Sequence, residues 1–406
     1  MKDRHLIAGL VLTALIVCSP AAPLFAQEAR YYGEGRHLVH EITGIVHEPT
    51  PRVRVETDLG SVTVRATTGP EVRYRIRVRA RGGDDAATRR LLEDMQVSAA
   101  MTGGVLLFRG QAISPGAARD LSADFEIDVP AKTEETEVAT GAGDVAARGL
   151  GGSAVLATRG GNITVDRLGG ALRAETRGGN IDVGAVGSAA RLVTAGGGVR
   201  LESAQGEVVA KTSGGDILIK SASDQVRAET GGGNVVVESA GGDVSAQTSG
   251  GSIRVGKARG EVTAATAGGS IRIASARGGV RCESGAGPIF LTGIEGPIRA
   301  VTSAGSIQAE LLPTSRLLFD SELQTWEGDV TLAVPESLPV TIRATVDNSQ
   351  GGRIKSEYPL RVYREAEDAG RTVEIGEGPI AGGGSLMKIR TLDGHIVILK
   401  PKRIVQ

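Results

Sequence analysis

Residues 206–223 have the sequence GEVVAKTSGGDILIKSAS, and this pattern returns every 18 residues. The repeat is easiest to follow from Thr212, because a hydroxyl residue holds the same position in ten consecutive repeats. These residues are Thr140, Thr158, Thr176, Thr194, Thr212, Thr230, Thr248, Thr266, Ser284 and Thr302. So regular a period is typical of a solenoid, in which each repeat packs against its neighbours in the chain.

Two short stretches of each repeat alternate between apolar and polar side chains. In residues 206–223, one stretch contains Val208 and Ala210, and the other contains Ile217 and Ile219. A period of two is what a strand with one buried face requires. Glycine pairs separate the two stretches and predict corners, where the chain needs either a positive φ or a close approach of neighbouring backbones. We therefore predict an all-β, single-stranded parallel β-solenoid with 18-residue coils.

The same motif recurs on both sides of the regular repeats, at 57–64, 325–332, 349–354 and 391–398. The solenoid is therefore expected to continue over most of the chain, with insertions. One insertion, at about 84–96, predicts a short helix, because Asp84 or Asp85 can cap a segment with apolar residues at helical spacing. The apolar positions of this segment include Leu91, Leu92 and Met95.

The N-terminus has the features of a secretory signal peptide. Lys2 and Arg4 precede the apolar run 6–17, and Ala26 offers a small residue for cleavage, so the mature chain is expected to begin at Gln27. Two alternatives are an uncleaved anchor and a lipoprotein attached through Cys18, although Val17 stands where a lipidation motif has a small residue. After Ala26 no apolar stretch is long enough to span a membrane. The prediction is an extracytoplasmic protein, located in the periplasm, on the cell surface or in the medium.

These patterns suggest five segments along the chain. The ends of the solenoid would otherwise pair with other chains, and the flanking segments are expected to cover them. The segments are a signal peptide (1–26), an N-terminal polar segment (27–51), an N-terminal β region with the helical insertion (52–139), the regular β-solenoid (140–310), and irregular C-terminal coils with a cap (311–406).

Composition limits the classes of function. The chain has 46 basic and 47 acidic residues, so nothing in its net charge of −1 indicates a nucleic-acid partner. Aromatic residues make up 3% of the chain, and Phe290 is the one ring within 140–310, which indicates a narrow core and no aromatic platform for sugars on the array. Cys282 occupies a column that is mostly alanine in the other coils, so we expect it to pack as a small core residue. Because Cys18 lies in the predicted signal peptide, no intrachain disulfide is expected in the mature chain.

Candidate chemical motifs are few. His37, His40 and His47 form a loose group near Glu41, but their spacing differs from that of a zinc-binding H-E-x-x-H motif. The repeats resemble a calcium-binding β-roll in having glycine pairs, yet its aspartate positions are missing, and Asp216 and Asp243 stand in different columns. The sequence therefore indicates no catalytic residue, no metal site and no cofactor, and the ligand-binding residues stay unknown.

Three stretches are similar to a known family. They are VRVETDLGSVTV at 53–64, the step Asp128-Val129-Pro130 before the regular repeats, and GGGSLMKIRTLDGHIVI at 382–398. In these the chain resembles the bacterial putative adhesin family, a domain of unknown function with Gly-rich β-strand repeats. The resemblance implies an exported or envelope-associated protein, and the family has no catalytic motif to transfer.

The leading functional hypothesis is an exported, non-enzymatic adhesin-like or cell-envelope scaffold, with an unknown protein or glycan of the surface or envelope as partner. The alternatives are a structural protein that self-associates end to end, a periplasmic signalling partner, and a carbohydrate-active β-helix enzyme. The sequence does not decide the handedness of the coil or the oligomeric state.

Overall fold

The computed structural model describes residues 25–114, 120–317, 319–348, 351–366 and 372–401. The expected signal peptide up to Leu24, Cys18 and position 349 of the third flanking motif lie outside these residues. The chain divides into two compact units at Thr158/Arg159.

Unit 1 is built from strands and one short helix, within the residues that the structure describes. Its elements are β1 (Phe25–Glu34), β2 (His37–Val46), β3 (Arg52–Thr57), β4 (Val62–Thr67), β5 (Val72–Arg81), α1 (Ala86–Glu93), β6 (Met95–Thr102), β7 (Val105–Ala112), β8 (Leu121–Pro130), β9 (Glu135–Thr140), β10 (Val145–Arg148) and β11 (Ser153–Thr158).

Two sheets form unit 1, and each changes from antiparallel to parallel pairing. In the first, β1, β2, β5 and β8 pair in antiparallel order, and β4 and β10 then add in parallel. In the second, the antiparallel hairpin of β6 and β7 is followed by parallel β3, β9 and β11. The stretch 27–51, predicted to be an N-terminal polar segment, contains β2 and most of β1, which form an antiparallel hairpin. The second strand of this hairpin, β2, pairs with β1 on one side and with β5 on the other.

The helix α1 is shorter than the segment, about 84–96, that the sequence predicts to be helical. Asp85 is the cap, because its carboxylate accepts the backbone N–H groups of Ala87 and Thr88. The helix ends at Glu93, and Met95 begins β6 with its side chain buried. Antiparallel pairing with β7 takes Met95 out of the helix.

Unit 2 consists of short strands along its whole described length. They are β12 (Ile163–Leu168), β13 (Leu172–Thr176), β14 (Ile181–Val186), β15 (Ala190–Thr194), β16 (Val199–Ala204), β17 (Val208–Thr212), β18 (Ile217–Ala222), β19 (Val226–Thr230), β20 (Val235–Ala240), β21 (Val244–Thr248), β22 (Ile253–Ala258), β23 (Val262–Thr266), β24 (Ile271–Ala276), β25 (Val280–Ser284), β26 (Ile289–Ile294), β27 (Ile298–Ala304), β28 (Ile307–Leu311), β29 (Ser321–Glu327), β30 (Val330–Ala333), β31 (Val340–Val346), β32 (Ile354–Ser356), β33 (Arg361–Ala366), β34 (Thr372–Ile380), β35 (Leu386–Asp393) and β36 (Ile396–Leu399).

Successive coils of unit 2 stack in register and form two parallel sheets. Even-numbered strands pair from β12 to β30, followed by β36 and β32. Odd-numbered strands pair from β13 to β29, followed by β35 and β31, and the antiparallel strands β34 and β33 complete this sheet. In the regular coils each residue lies opposite the residue 18 positions on, as Ile217 lies opposite Val235. The β-solenoid predicted from the 18-residue period is confirmed.

The core of unit 2 lies between the two sheets. Val208, Ala210, Ile217 and Ile219 of one coil are each 0% exposed, which confirms the inward columns. Two further columns also face inward. In this coil they are Thr212 and Ala222, with 7% and 3% of their surface exposed.

The threonine column closes the corner between the sheets. The Thr212 hydroxyl donates to the carbonyl of Gly197 in the preceding coil and accepts the N–H of Gly215 in its own coil. Eight consecutive hydroxyls of unit 2, from Thr176 to Thr302, donate in this way over 2.7 to 3.0 Å. Buried peptide groups at a corner need such partners, because strand pairing stops there.

Of the two reasons for the glycine pairs, close backbone approach is the one that the structure supports. The second glycine of each pair packs against the backbone of the preceding coil. A Cβ on Gly251 would lie 2.0 Å from the carbonyl oxygen of Gly233. A Cβ on the first glycine, Gly250, would lie 3.5 Å from the nearest atom, an ordinary contact. Neither glycine has a positive φ.

Replacing Thr266 by Val removes one corner hydroxyl and keeps the side-chain shape. The carbonyl of Gly251 and the N–H of Gly269 then lose their partner, so we expect a loss of about 1–3 kcal/mol in unfolding free energy. Thr263→Val, on the outward face of the same strand, is the control. Chemical denaturation followed by circular dichroism compares the two, and equal stability of both variants would contradict the structural role of the hydroxyl.

The two glycines of one pair should differ in their tolerance of a methyl group. Gly251→Ala forces adjacent coils apart and is expected to cost about 1–3 kcal/mol, as overpacking does. Gly250→Ala should stay within about 0.5 kcal/mol of the unchanged protein. The melting temperatures of both variants test this, and the reverse order of stability would show that backbone approach does not explain the pair.

Candidate functional site

A shallow groove of about 940 Å³ crosses successive coils of unit 2, beside the threonine column. Its floor is formed by the residue that directly follows each threonine, and these residues are small and exposed. They are Ser213, Gly231, Ser249, Ala267, Gly285 and Ser303. Lining residues extend from the coil of Thr194 to that of Trp326, which is seven steps of about 4.8 Å, or roughly 34 Å.

Large side chains bound this floor at both ends. Trp326 follows Thr325, which pairs with Thr302, so the indole stands in the floor column beside Ser303. It is 43% exposed, and Leu392, 40% exposed, occupies the next position of the column. At the other end the column continues through Ala195 to Arg177. The groove is thus a row of small residues that ends, on one side, at the large apolar side chains of Trp326 and Leu392.

One side of the groove is formed by the residues that directly precede each threonine. Lys211 and Glu229 are opposite each other on adjacent coils, with Nζ 2.7 Å from Oε2. The Lys211 ammonium holds the pKa of Glu229 below its ordinary value, and Arg227 acts in the same direction. Glu229 is therefore ionised at neutral pH and its charge is balanced. Gln247, in the same column, adds an amide with donor and acceptor groups.

This arrangement fits an extended chain better than a compact small molecule. The strands beneath the groove already have both edges paired, as β21 has with β19 and β23. A peptide therefore finds no free strand edge to extend. Hydroxyl and amide groups along a small floor can instead hydrogen-bond to a polyhydroxylated chain, and the exposed face of Trp326 can pack on a sugar ring.

Two of the three N-terminal histidines, His40 and His47, have separate partners in unit 1, and His37 is the first residue of β2. His40 stacks on Tyr31 with ring centroids 4.3 Å apart, and its burial lowers its pKa. The Nδ1 atom of His47 lies 3.2 Å from a carboxylate oxygen of Glu71. In the described residues no group of three or more histidine, cysteine or acidic side chains is arranged to hold a metal ion.

Asp216, Asp243 and Cys282 have structural surroundings. The Asp216 carboxylate accepts the backbone N–H of Asn234, and that of Asp243 accepts the N–H of Glu261, so each links two coils. Cys282 is fully buried between Ala264 and Ala300, and burial raises the pKa of its thiol well above the usual range. A protonated thiol in this position packs as an apolar side chain.

The pattern of residues does not by itself reveal the groove. Its floor is a run of small residues, which as letters resemble any glycine-rich turn. Trp326 lies beyond the regular repeats, in the C-terminal segment 311–406 that the sequence predicts to cover the end of the solenoid. The available signal was the column itself, because counting one residue on from each threonine leads from Arg177 through seven small residues to Trp326.

The fold defines a β-solenoid protein. One solved structure that matches the chain is described as a "putative adhesin" from Bacteroides fragilis NCTC 9343, with a TM-score of 0.30, 15% identity, and coverage of 60% of this chain and 96% of that one. Another is described as a "putative cell adhesion protein" from Clostridium sporogenes ATCC 15579, with a TM-score of 0.17, 8% identity, and coverage of 89% and 99%. No family model and no curated protein matches the chain.

Among the described residues, α1 is the one helix, and its eight residues are too few to cross a membrane.

Proposed function

We propose that this protein is an extracytoplasmic, non-enzymatic, adhesin-like scaffold that holds an extended, uncharged glycan in the groove of unit 2. The observation that carries the proposal is the continuity of the groove. Its floor keeps one spacing over seven coil steps, and a chain of repeating sugars offers contacts at regular intervals in the same way.

The side chains of the groove support binding rather than bond cleavage. Lys211 and Glu229 are engaged with each other, so neither is available as an acid or a base. The other carboxylate of the lining, Glu283, lies between Ala265 and Val301 in its column, without a second acid or base beside it there. Repeated weak contacts along a chain add up to affinity through avidity, which is the usual basis of adhesion to a polymer.

Trp326 is the single tryptophan of the chain, so intrinsic fluorescence reports on one end of the groove alone. We expect its emission to change saturably during titration with at least one member of a panel of dextran, xylan, laminarin and mannan. Trp326→Ala should weaken binding, measured by calorimetry, by about tenfold, or about 1.4 kcal/mol. The polysaccharide should stay uncut after prolonged incubation.

A variant pair separates the groove from the surface around it. Ser249→Gln places a long neutral side chain on the middle of the floor, whereas Ser245→Gln changes the same residue type on the same coil, outside the groove lining. Only the first should weaken binding. No saturable binding to any polysaccharide of the panel, or equal binding by both variants, would refute the groove as a glycan site.

The location is tested in the cells that produce the protein. Fractionation should place it outside the cytoplasm, and its mass should correspond to a chain beginning at Gln27. We expect protease added to intact cells to degrade it, as a surface adhesin requires. Recovery from the cytoplasm would end the proposal, and protection until the outer envelope is opened would replace the adhesin with an internal scaffold.

A further inference from the structure

A second feature of unit 2 lies on the outer face of its even-numbered sheet. Residues 250–278 contain five basic residues and a single acidic residue, Glu261. All five basic side chains are exposed. They are Arg254, Lys257, Arg259, Arg272 and Arg277, and we call them the basic patch.

The coil register brings like charges together in the basic patch. Arg254 of β22 lies opposite Arg272 of β24. Arg259 and Arg277 each follow the last residue of these strands, Ala258 and Ala276, which also pair. Neighbouring strands are about 4.8 Å apart, and like charges in such positions repel each other.

Other coils of unit 2 place opposite charges in the same relation. Lys220 and Glu202, 18 residues apart on the same outer face, form an ion pair of 2.6 Å. Within the described residues none of the five cations of the basic patch forms an ion pair with a carboxylate. The patch therefore keeps a concentrated positive charge in a chain whose net charge is −1.

An aromatic ring orients one member of the patch. Phe290, half-buried on β26, lies opposite Arg272, and the guanidinium carbon is 4.7 Å from the ring centroid. Stacking on the ring leaves the N–H groups at the edge of the guanidinium free to donate. Arg272 is thus oriented to donate two hydrogen bonds to an anion with two acceptor oxygens, such as a carboxylate or a sulfate.

We propose that the basic patch binds an acidic polysaccharide, a chain that carries carboxylate or sulfate groups at regular intervals. Arg254, Lys257 and Arg259 extend over about 17 Å along one coil, and Arg272 and Arg277 form a parallel row on the next. Two rows of cations at this spacing match the anionic groups along an extended sugar chain. The site shares no residue with the groove and goes beyond the function proposed for it.

Two other polyanions fit the patch less well. Single-stranded nucleic acid needs free aromatic faces for its bases, and the one ring here is already covered by Arg272. An anionic membrane surface favours apolar side chains that insert beside the charges, whereas the residues between the cations include Gly256 and Ala274.

The test uses the full mature chain and fluorescein-labelled heparin, with binding measured by anisotropy at two salt concentrations. We expect saturable binding that weakens with salt, competition by alginate, and none by dextran. The double variant Arg254→Gln/Arg272→Gln should weaken binding at least about tenfold. The control Arg200→Gln/Lys220→Gln removes two cations from the same outer face, where acidic residues neighbour them, and should change it less than about twofold.

Several results would overturn the proposal. They are the absence of saturable heparin binding, equal losses in the two double variants, and tighter binding of single-stranded DNA or of vesicles containing anionic lipid than of heparin. Ser249→Gln keeps the two proposals apart, because it should weaken binding of the uncharged polysaccharide and leave heparin binding unchanged.

Discussion

The hydroxyl of the threonine column makes the contact on which the regular coils depend. From Thr176 to Ser284 it donates to a glycine carbonyl of the preceding coil and accepts an N–H group of its own coil, as Thr230 does with Gly215 and Gly233. Strand pairing satisfies the peptide groups of the flat faces, but it stops at the corner. The hydroxyl replaces it there, and the absence of a Cβ on the second glycine lets the coils approach closely enough for the bond to form.

A constant corner has consequences for the surface. Because every coil turns at the same place, residues 18 apart lie in one column, and a repeated residue type becomes a continuous feature. Small residues after each threonine produce the floor of the groove. Arginines in neighbouring coils, such as Arg254 and Arg272, produce a local concentration of charge. The chain therefore builds continuous surface features from columns, without a separate loop for each one.

The last strands of the sheets differ from the regular coils. Among the described residues of unit 2, the odd-numbered sheet ends at β33, which pairs with β34 and carries Arg361, Arg364 and Glu365. In unit 1 one sheet ends, within the residues that the structure describes, at β1, which pairs with β2 and carries Glu28, Arg30 and Glu34. Charged side chains on such strands disfavour pairing with another chain. They act against the end-to-end association that remains an alternative from the sequence.

The sequence by itself determined the solenoid, its 18-residue coil and the inward apolar columns, because a period of two within a longer fixed period has few structural solutions. It also indicated Asp85 as one of two possible helix caps. Tertiary structure alone decided that the glycines of a pair such as Gly250 and Gly251 serve close approach rather than positive φ, since this depends on the carbonyl of Gly233 in the preceding coil. It also placed β2 between β1 and β5, because the partners of a strand can lie far away in the chain. In the same way the motif at 325–332 marks Thr325 as a corner residue, but only the structure shows that it pairs with Thr302 and so places Trp326 at the end of the groove.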